Sequence, residues 1–270
     1  SAQVKSCIIL AALYAKGPTQ IKEHELSRDH TERMLKSFSY PIAAQNGSIS
    51  IDGMHQCIAT HIKVPGDLSS AAFFIVAATI IPGADILITN VGINPTRTGI
   101  LRILSQMGAD ISILNERAFG EEPVADLRIK HAPLKGIDIP SVLVPSAIDE
   151  FPIIFIAAAC AAGQTTLHDA KELRLKESDR INVMACGLDL LGIETSVFDD
   201  GISITGGVIQ GGVVDSQGDH RVAMSFAVAG AVATSSVIIK NCAPIATSFP
   251  DFIGIANKLH FDIEELNNDK

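Results

Sequence analysis

Lys176-Glu177-Ser178-Asp179-Arg180 sets two cations beside two carboxylates within five residues. The run ends a β-like stretch, Thr165–His168, and opens a helix-like one, Ile181–Leu191. If Ser178 or Asp179 caps that helix, Lys176 and Glu177 stand at its mouth, where backbone N–H groups point outward and favour anions. One carboxylate then stays free to move a proton beside a bound anion. The same residues also read as an ordinary capped helix start with solvated charges. What else converges on them decides between the two.

Three other polar groups open apolar, Ala-rich helices: Ser1-Ala2-Gln3-Val4-Lys5, Pro145-Ser146-Ala147-Ile148-Asp149-Glu150 and Gly218-Asp219-His220-Arg221. Taken singly, each has a plain reading. Gln3 fits a surface position, Asp149 a helix cap, and Asp219 with Arg221 a cap plus a surface ion pair. His220 alone fits a hydrogen-bonded structural residue. No His, Cys or carboxylate cluster has metal-ligand spacing, and no P-loop or dinucleotide fingerprint occurs.

These groups recur because the elements around them recur. An apolar helix is followed by a short strand, a second amphipathic helix, a Gly or turn, and two strands. First helices start at Ser1, Asp67, Asp149 and Asp219; second helices start at Asp29, Pro95, Glu177 and Phe249. The segments 108–114, 192–198 and 260–266 each read as a helix stop and then a strand, and Asn46-Gly47 and Asp200-Gly201 read as hairpin turns. The pattern predicts an α/β (α+β) fold of repeated βαβαββ units. Helices that are apolar all round (71–78, 153–162, 222–232) belong in the centre, with sheets and outer helices around them. Residues 1–64 are expected to form the last repeat of one domain, and 65–270 a second domain of three repeats lacking its N-terminal strand. The crossing point is placed at Ile62–Gly66. Around a pseudo-threefold axis the helix N-termini would point the same way and build one electropositive face.

Composition narrows the function. The formal charge is −9 with no Lys/Arg run, which argues against a nucleic-acid or anionic-membrane surface. A small anion needs only a few converging cations. Five cysteines lie far apart, several in apolar runs and none in a CxxC pair; buried, reduced thiols in the cytoplasm are expected. The apolar stretches 151–162 and 71–82 are too short to span a bilayer. Ser1, not Met, opens the chain, as expected of a start inside a larger protein.

The combination of Ser1-Ala2-Gln3, Ser27-Arg28-Asp29-His30, Pro65–Ser70, Asp149, Leu175–Arg180, Gly218–Arg221 and Ala246–Pro250 resembles the 5-enolpyruvylshikimate-3-phosphate synthases, in order along essentially the whole chain. The Lys-Glu-Ser-Asp-Arg and Asp-His-Arg elements together carry the specificity of this resemblance. It implies the last three-fifths of the family's usual length, with the missing N-terminal part of the same protein as a partner.

The resemblance further implies transfer of an enolpyruvyl group from phosphoenolpyruvate to the 5-hydroxyl of 3-phosphoshikimate, releasing phosphate, on the route to chorismate and aromatic amino acids. It implies no cofactor and no metal. Glu177 matches the acid/base at the methylene carbon, Asp149 the acceptor of the hydroxyl proton, and Lys176 the cation between the substrates. Ser1, Ala2, Gln3, Arg28, Asp149 and Lys176 match 3-phosphoshikimate contacts, with Ser27 a weaker one. Gln3, Arg180 and Arg221 match phosphoenolpyruvate contacts. Two positions depart from many members: Ala2 stands for a Ser, and 245–250 lacks a Lys. A UDP-N-acetylglucosamine enolpyruvyl transferase-like enzyme and a non-catalytic repeat scaffold are the alternatives.

Overall fold

The computed structural model describes residues 2–23, 26–45 and 47–266. Ser1 and Asn46, both singled out above, lie outside them. The first unit runs α1 (Ala2–Ala12), β1 (Pro18–Lys22), α2 (His30–Ser37), β2 (Ile42–Gln45), β3 (Ser48–Asp52), and its sheet has the antiparallel order β1-β3-β2. The second repeats it as α3 (Leu68–Ile80), β4 (Asp85–Gly92), α4 (Gly99–Met107), β5 (Asp110–Phe119), β6 (Glu122–Lys130), ordered β4-β6-β5. The third contains α5 (Val144–Ala147), α6 (Phe151–Ala159), β7 (Gln164–Leu167), α7 (Arg180–Leu190), β8 (Thr195–Phe198), β9 (Gly201–Thr205), ordered β7-β9-β8. Single parallel bridges, Gly66 to Val91 and Asp138 to Thr166, mark the leading strand before α3 and α6.

The last unit differs. Strand β10 (Gly212–Asp215) leads into α8 (His220–Gly230) and pairs in parallel with β11 (Val237–Lys240); α9 (Ile245–Ser248) and α10 (Phe252–Lys258) follow. The strand expected over 260–266 is absent. His260 and Asp262 take left-handed backbone angles, φ 65° and 56°, which an extended strand does not accommodate. This unit is therefore less complete than the repeat predicted.

Caps explain where the inner helices start. Asp67 accepts the N–H groups of Ser69 and Ser70, and Asp219 those of Arg221 and Val222. Helix α4 stops at Gly108, whose φ of 99° suits a residue without Cβ. Helices α3, α6 and α8 touch one another pairwise, and α6 is buried along its whole length. Sheets and outer helices surround them, as the apolar patterning predicts. The outer helix α7 packs so closely that a Cβ on Gly187 would lie 2.1 Å from Phe226 Cζ.

One apolar cluster runs through α3, α6 and α8 and their sheets; a separate small one comprises Ile9, Ala12, Leu35, Tyr40, Ile49 and Ile51. Beside the small cluster, Lys5 is buried against Glu23 (3.1 Å) and Glu32 (2.9 Å). The outer side of α1 leaves Val4 and Leu10 exposed, and Tyr14 just after the helix is exposed too. Polar contacts join the two parts: His30 Nδ1 lies 2.7 Å from Glu122 Oε1, Asn94 donates to Asp29 at 2.7 Å, and Arg33 donates to the Glu121 carbonyl at 2.8 Å.

The expected burial of the cysteines does not hold. Cys7, Cys57, Cys186 and Cys242 are exposed, because each falls on the outer side of a helix or in a loop; Cys160 alone is partly buried. Among the described residues no helix is long and apolar enough to cross a membrane.

Candidate functional site

The starts of α3, α6 and α8 meet at one end of the large cluster, and the mouth of α7 faces them. Asp149 sits at the centre. It does not cap α6; Glu150 occupies the cap position and makes no side-chain capping bond either. The Asp149 carboxylate instead pairs with Arg28 from the first unit, and lies 3.6 Å from both Lys176 Nζ and Arg180 Nη1. Its backbone carbonyl accepts Arg221 Nη1 at 3.3 Å. Four cations from three separate segments thus converge on one aspartate. Burial alone would raise the Asp149 pKa, but the charges of Arg28 and Arg221, the Arg28 hydrogen bond and Lys176 outweigh it and hold the carboxyl well below its usual range.

Asp179 caps α7, accepting Asn182 N at 3.1 Å, and also takes Arg174 at 2.8 Å. It is therefore occupied. Glu177 is the carboxylate left at the mouth, half-exposed, with its Oε2 2.5 Å from Arg180 Nη2. Lys176 reaches Glu172 at 2.6 Å as well as Asp149. Arg180 is fully buried: Nε donates to Asp219 Oδ2 at 2.8 Å, and among the described residues Nη1 finds no hydrogen-bond partner. Asp219 is fully buried too. Burial opposes its charge, but Arg180, the Arg221 N–H and Ser178 keep its pKa lowered. His220 is pushed below its usual value by burial and by the charge of Arg221.

The structure brings Asp149, Lys176, Glu177, Arg180, Arg221 and Arg28 together. Ala2 and Gln3 line a shallow groove on α1 that reaches the same Arg28, with Ser6, His30 and Thr31. Gln3 is exposed, and its side chain has no hydrogen bond among the described residues. Ser27 Oγ donates to Glu23, so it is engaged within its own unit. A bare electropositive face is not what forms. Arg28, Lys176 and Arg180 each contact a carboxylate, because buried cations without counter-charges are costly. Glu150 and Arg97 received no role from the sequence, yet both belong to this end of the fold. Glu150 is 2% exposed. The one signal was a carboxylate heading a helix otherwise apolar throughout.

Repeated units around buried helices, with cations and carboxylates gathered where the helices start, define a chain of the enolpyruvyl transferase fold. NikO from Streptomyces tendae, an enolpyruvyl transferase, shares that fold with a TM-score of 0.76 at 19% identity, over 96% of this chain and 59% of that one. A family model described as EPSP synthase (3-phosphoshikimate 1-carboxyvinyltransferase) matches residues 1–255, and the chain belongs to that family. A 3-phosphoshikimate 1-carboxyvinyltransferase of Legionella pneumophila (strain Paris) is 67% identical over 99% of this chain and 62% of its own length. One from Methylococcus capsulatus is 56% identical over 98% of this chain and 60% of its own length. An EPSP synthase structure from Acinetobacter baumannii superposes with a TM-score of 0.92 at 52% identity, over 96% of this chain and 60% of that one. The chain spans about 62% of the length of the Legionella relative.

Proposed function

We propose that this chain supplies the greater part of an active site that moves the enolpyruvyl group of phosphoenolpyruvate onto the 5-hydroxyl of 3-phosphoshikimate and releases phosphate. The observation that carries the reading is the single aspartate ringed by Arg28, Lys176, Arg180 and Arg221, with Glu177 across Arg180. Substrates bearing two phosphates and a carboxylate need such convergent cations. In this reading Glu177 protonates the methylene carbon and later removes a proton from it, while Asp149 accepts the hydroxyl proton. Half-exposed Glu177 can reach a ligand. With Arg28 upon it, Asp149 is a weak base; a phosphate that draws Arg28 away raises its basicity. Lys176 lies between the substrates, Arg180 and Arg221 hold phosphoenolpyruvate, and Arg28, Gln3 and the Ser1-Ala2 segment hold 3-phosphoshikimate.

The proposal includes a division at residue 64, a cytoplasmic protein, and a further N-terminal segment of the same protein that completes the site. Substituting Glu177→Gln in the chain joined to that segment tests it. Ligand binding is expected to persist while turnover falls at least about 100-fold, the usual contribution of a positioned proton donor. Near-normal turnover would remove Glu177 from the chemistry.

A further inference from the structure

Helix α6 is apolar along its length, yet a carboxylate buried to 2% exposure stands at its head. Glu150 does not cap its own helix. It reaches across to α3, where its Oε1 accepts the hydroxyl of Ser69, itself buried. Arg97, from the loop before α4, lies 3.8 Å from the same oxygen, bonds Ser69 Oγ, and reaches Asp67 at 3.1 Å. Three segments far apart in sequence are tied at this node. The residue next to it is Asp149, and the two share one peptide unit.

We propose that Glu150 is a positioning residue: pinned to Ser69 and Arg97 at the start of α3, it fixes the Asp149–Glu150 peptide, so that the Asp149 carboxylate faces Arg28, Lys176 and Arg180 while the Asp149 carbonyl faces Arg221. The proposal concerns the geometry of Asp149 and rests on the reading above only in giving that residue a part in the reaction. The neighbouring carboxyls are pushed in opposite directions. Burial raises Glu150, against the pull of Ser69, Arg221 and Arg97 and with the repulsion of Asp149. The cations around Asp149 lower it. A residue serving only to fill space would not need a hydroxyl and a guanidinium from two other elements.

The test is carboxyl 13C NMR of the 270-residue chain, labelled at Asp and titrated into the acid range, for the native chain, Glu150→Gln, Glu150→Ala and Ser69→Ala. Gln keeps an acceptor oxygen for Ser69 and should leave the Asp149 midpoint at or below the native one, since only the neighbouring charge is lost. Glu150→Ala and Ser69→Ala should raise it by about one unit or more, toward an ordinary aspartate, because the carboxylate turns away from its cations. The direction discriminates: deleting a neighbouring carboxylate acts through charge alone only by lowering the midpoint. A folded Glu150→Ala chain with an unchanged or lowered midpoint overturns the proposal. If that variant does not fold, Ser69→Ala decides by the same criterion. Failure of the enolpyruvyl transfer reading would appear in a transfer assay and leave this titration untouched.

Discussion

Replacing Arg180 by Met tests how the buried charges are balanced. The native guanidinium is fully enclosed and bonds Asp219, which is fully enclosed as well. Met fills the volume of the stem but leaves Asp219 without its cation. Removing one partner of a buried ion pair costs about 3–5 kcal/mol. Asp219 keeps three donors, Arg221 N at 2.9 Å, Val222 N at 3.4 Å and Ser178 Oγ at 3.1 Å, which places the expectation at the low end, about 3 kcal/mol. For a cooperative unit of this size that is a fall in Tm of roughly 6–12 °C. The assay is urea and thermal unfolding near neutral pH. The deficit should also depend on pH. Natively, the Asp219 pKa is lowered, so its contribution is present above the usual carboxylate range and is lost as pH falls through the native pKa. Without Arg180, burial dominates and raises that pKa, so the protonated form is favoured and the gap to the native chain narrows as pH falls from the variant's raised pKa to the native chain's lowered one. Arg180→Met with Asp219→Asn should recover part of the loss, since the stranded charge is gone. A loss under about 1 kcal/mol for Arg180→Met alone, or a gap that widens in acid, would refute the reasoning.

Gly187→Ala should destabilise by about 1–3 kcal/mol in denaturant unfolding, because the new Cβ meets Phe226, and Phe226→Leu should return part of it. Under native alkylation at mildly alkaline pH, mass spectrometry should find Cys7, Cys57, Cys186 and Cys242 modified and Cys160 spared, since burial pushes the Cys160 thiol up to about 12. In the chain joined to the proposed N-terminal segment, Arg221→Ala should raise the KM for phosphoenolpyruvate by roughly 30- to 150-fold, the equivalent of about 2–3 kcal/mol, and that for 3-phosphoshikimate much less; equal rises would point to misfolding instead.

The parts of this fold legible in the sequence are those set by local chemistry. Asp67, Asp179 and Asp219 announce helix starts because their side chains bond the next N–H groups, and the structure uses all three so. Apolar helices without a polar face had to lie inside, and α3, α6 and α8 do. What depended on partners was not legible. An alternating pattern over 260–266 reads as a strand, but the backbone at His260 and Asp262 turns left-handed and no strand forms. Cysteines in apolar runs read as buried, but the run does not say which side of a helix faces out. The motif residues were visible as a group because charges crowd at helix mouths. That Arg28, Lys176 and Arg180 would already hold carboxylates was not, since Arg28 and Asp149 stand far apart in sequence. Arg97 and Glu150 escaped for the same reason: a single charge in a loop or at a helix head says nothing of a partner in another repeat.

The most direct measurement is enolpyruvyl transfer itself, followed by phosphate release and by mass spectrometry of the product, from phosphoenolpyruvate and 3-phosphoshikimate. The chain alone should give none, the chain joined to the proposed N-terminal segment should give turnover, and Glu177→Gln in the joined protein should reduce that turnover at least about 100-fold. Full activity of the purified 270-residue chain, free of intact enzyme, or no transfer by the joined protein when it is folded, would contradict the account.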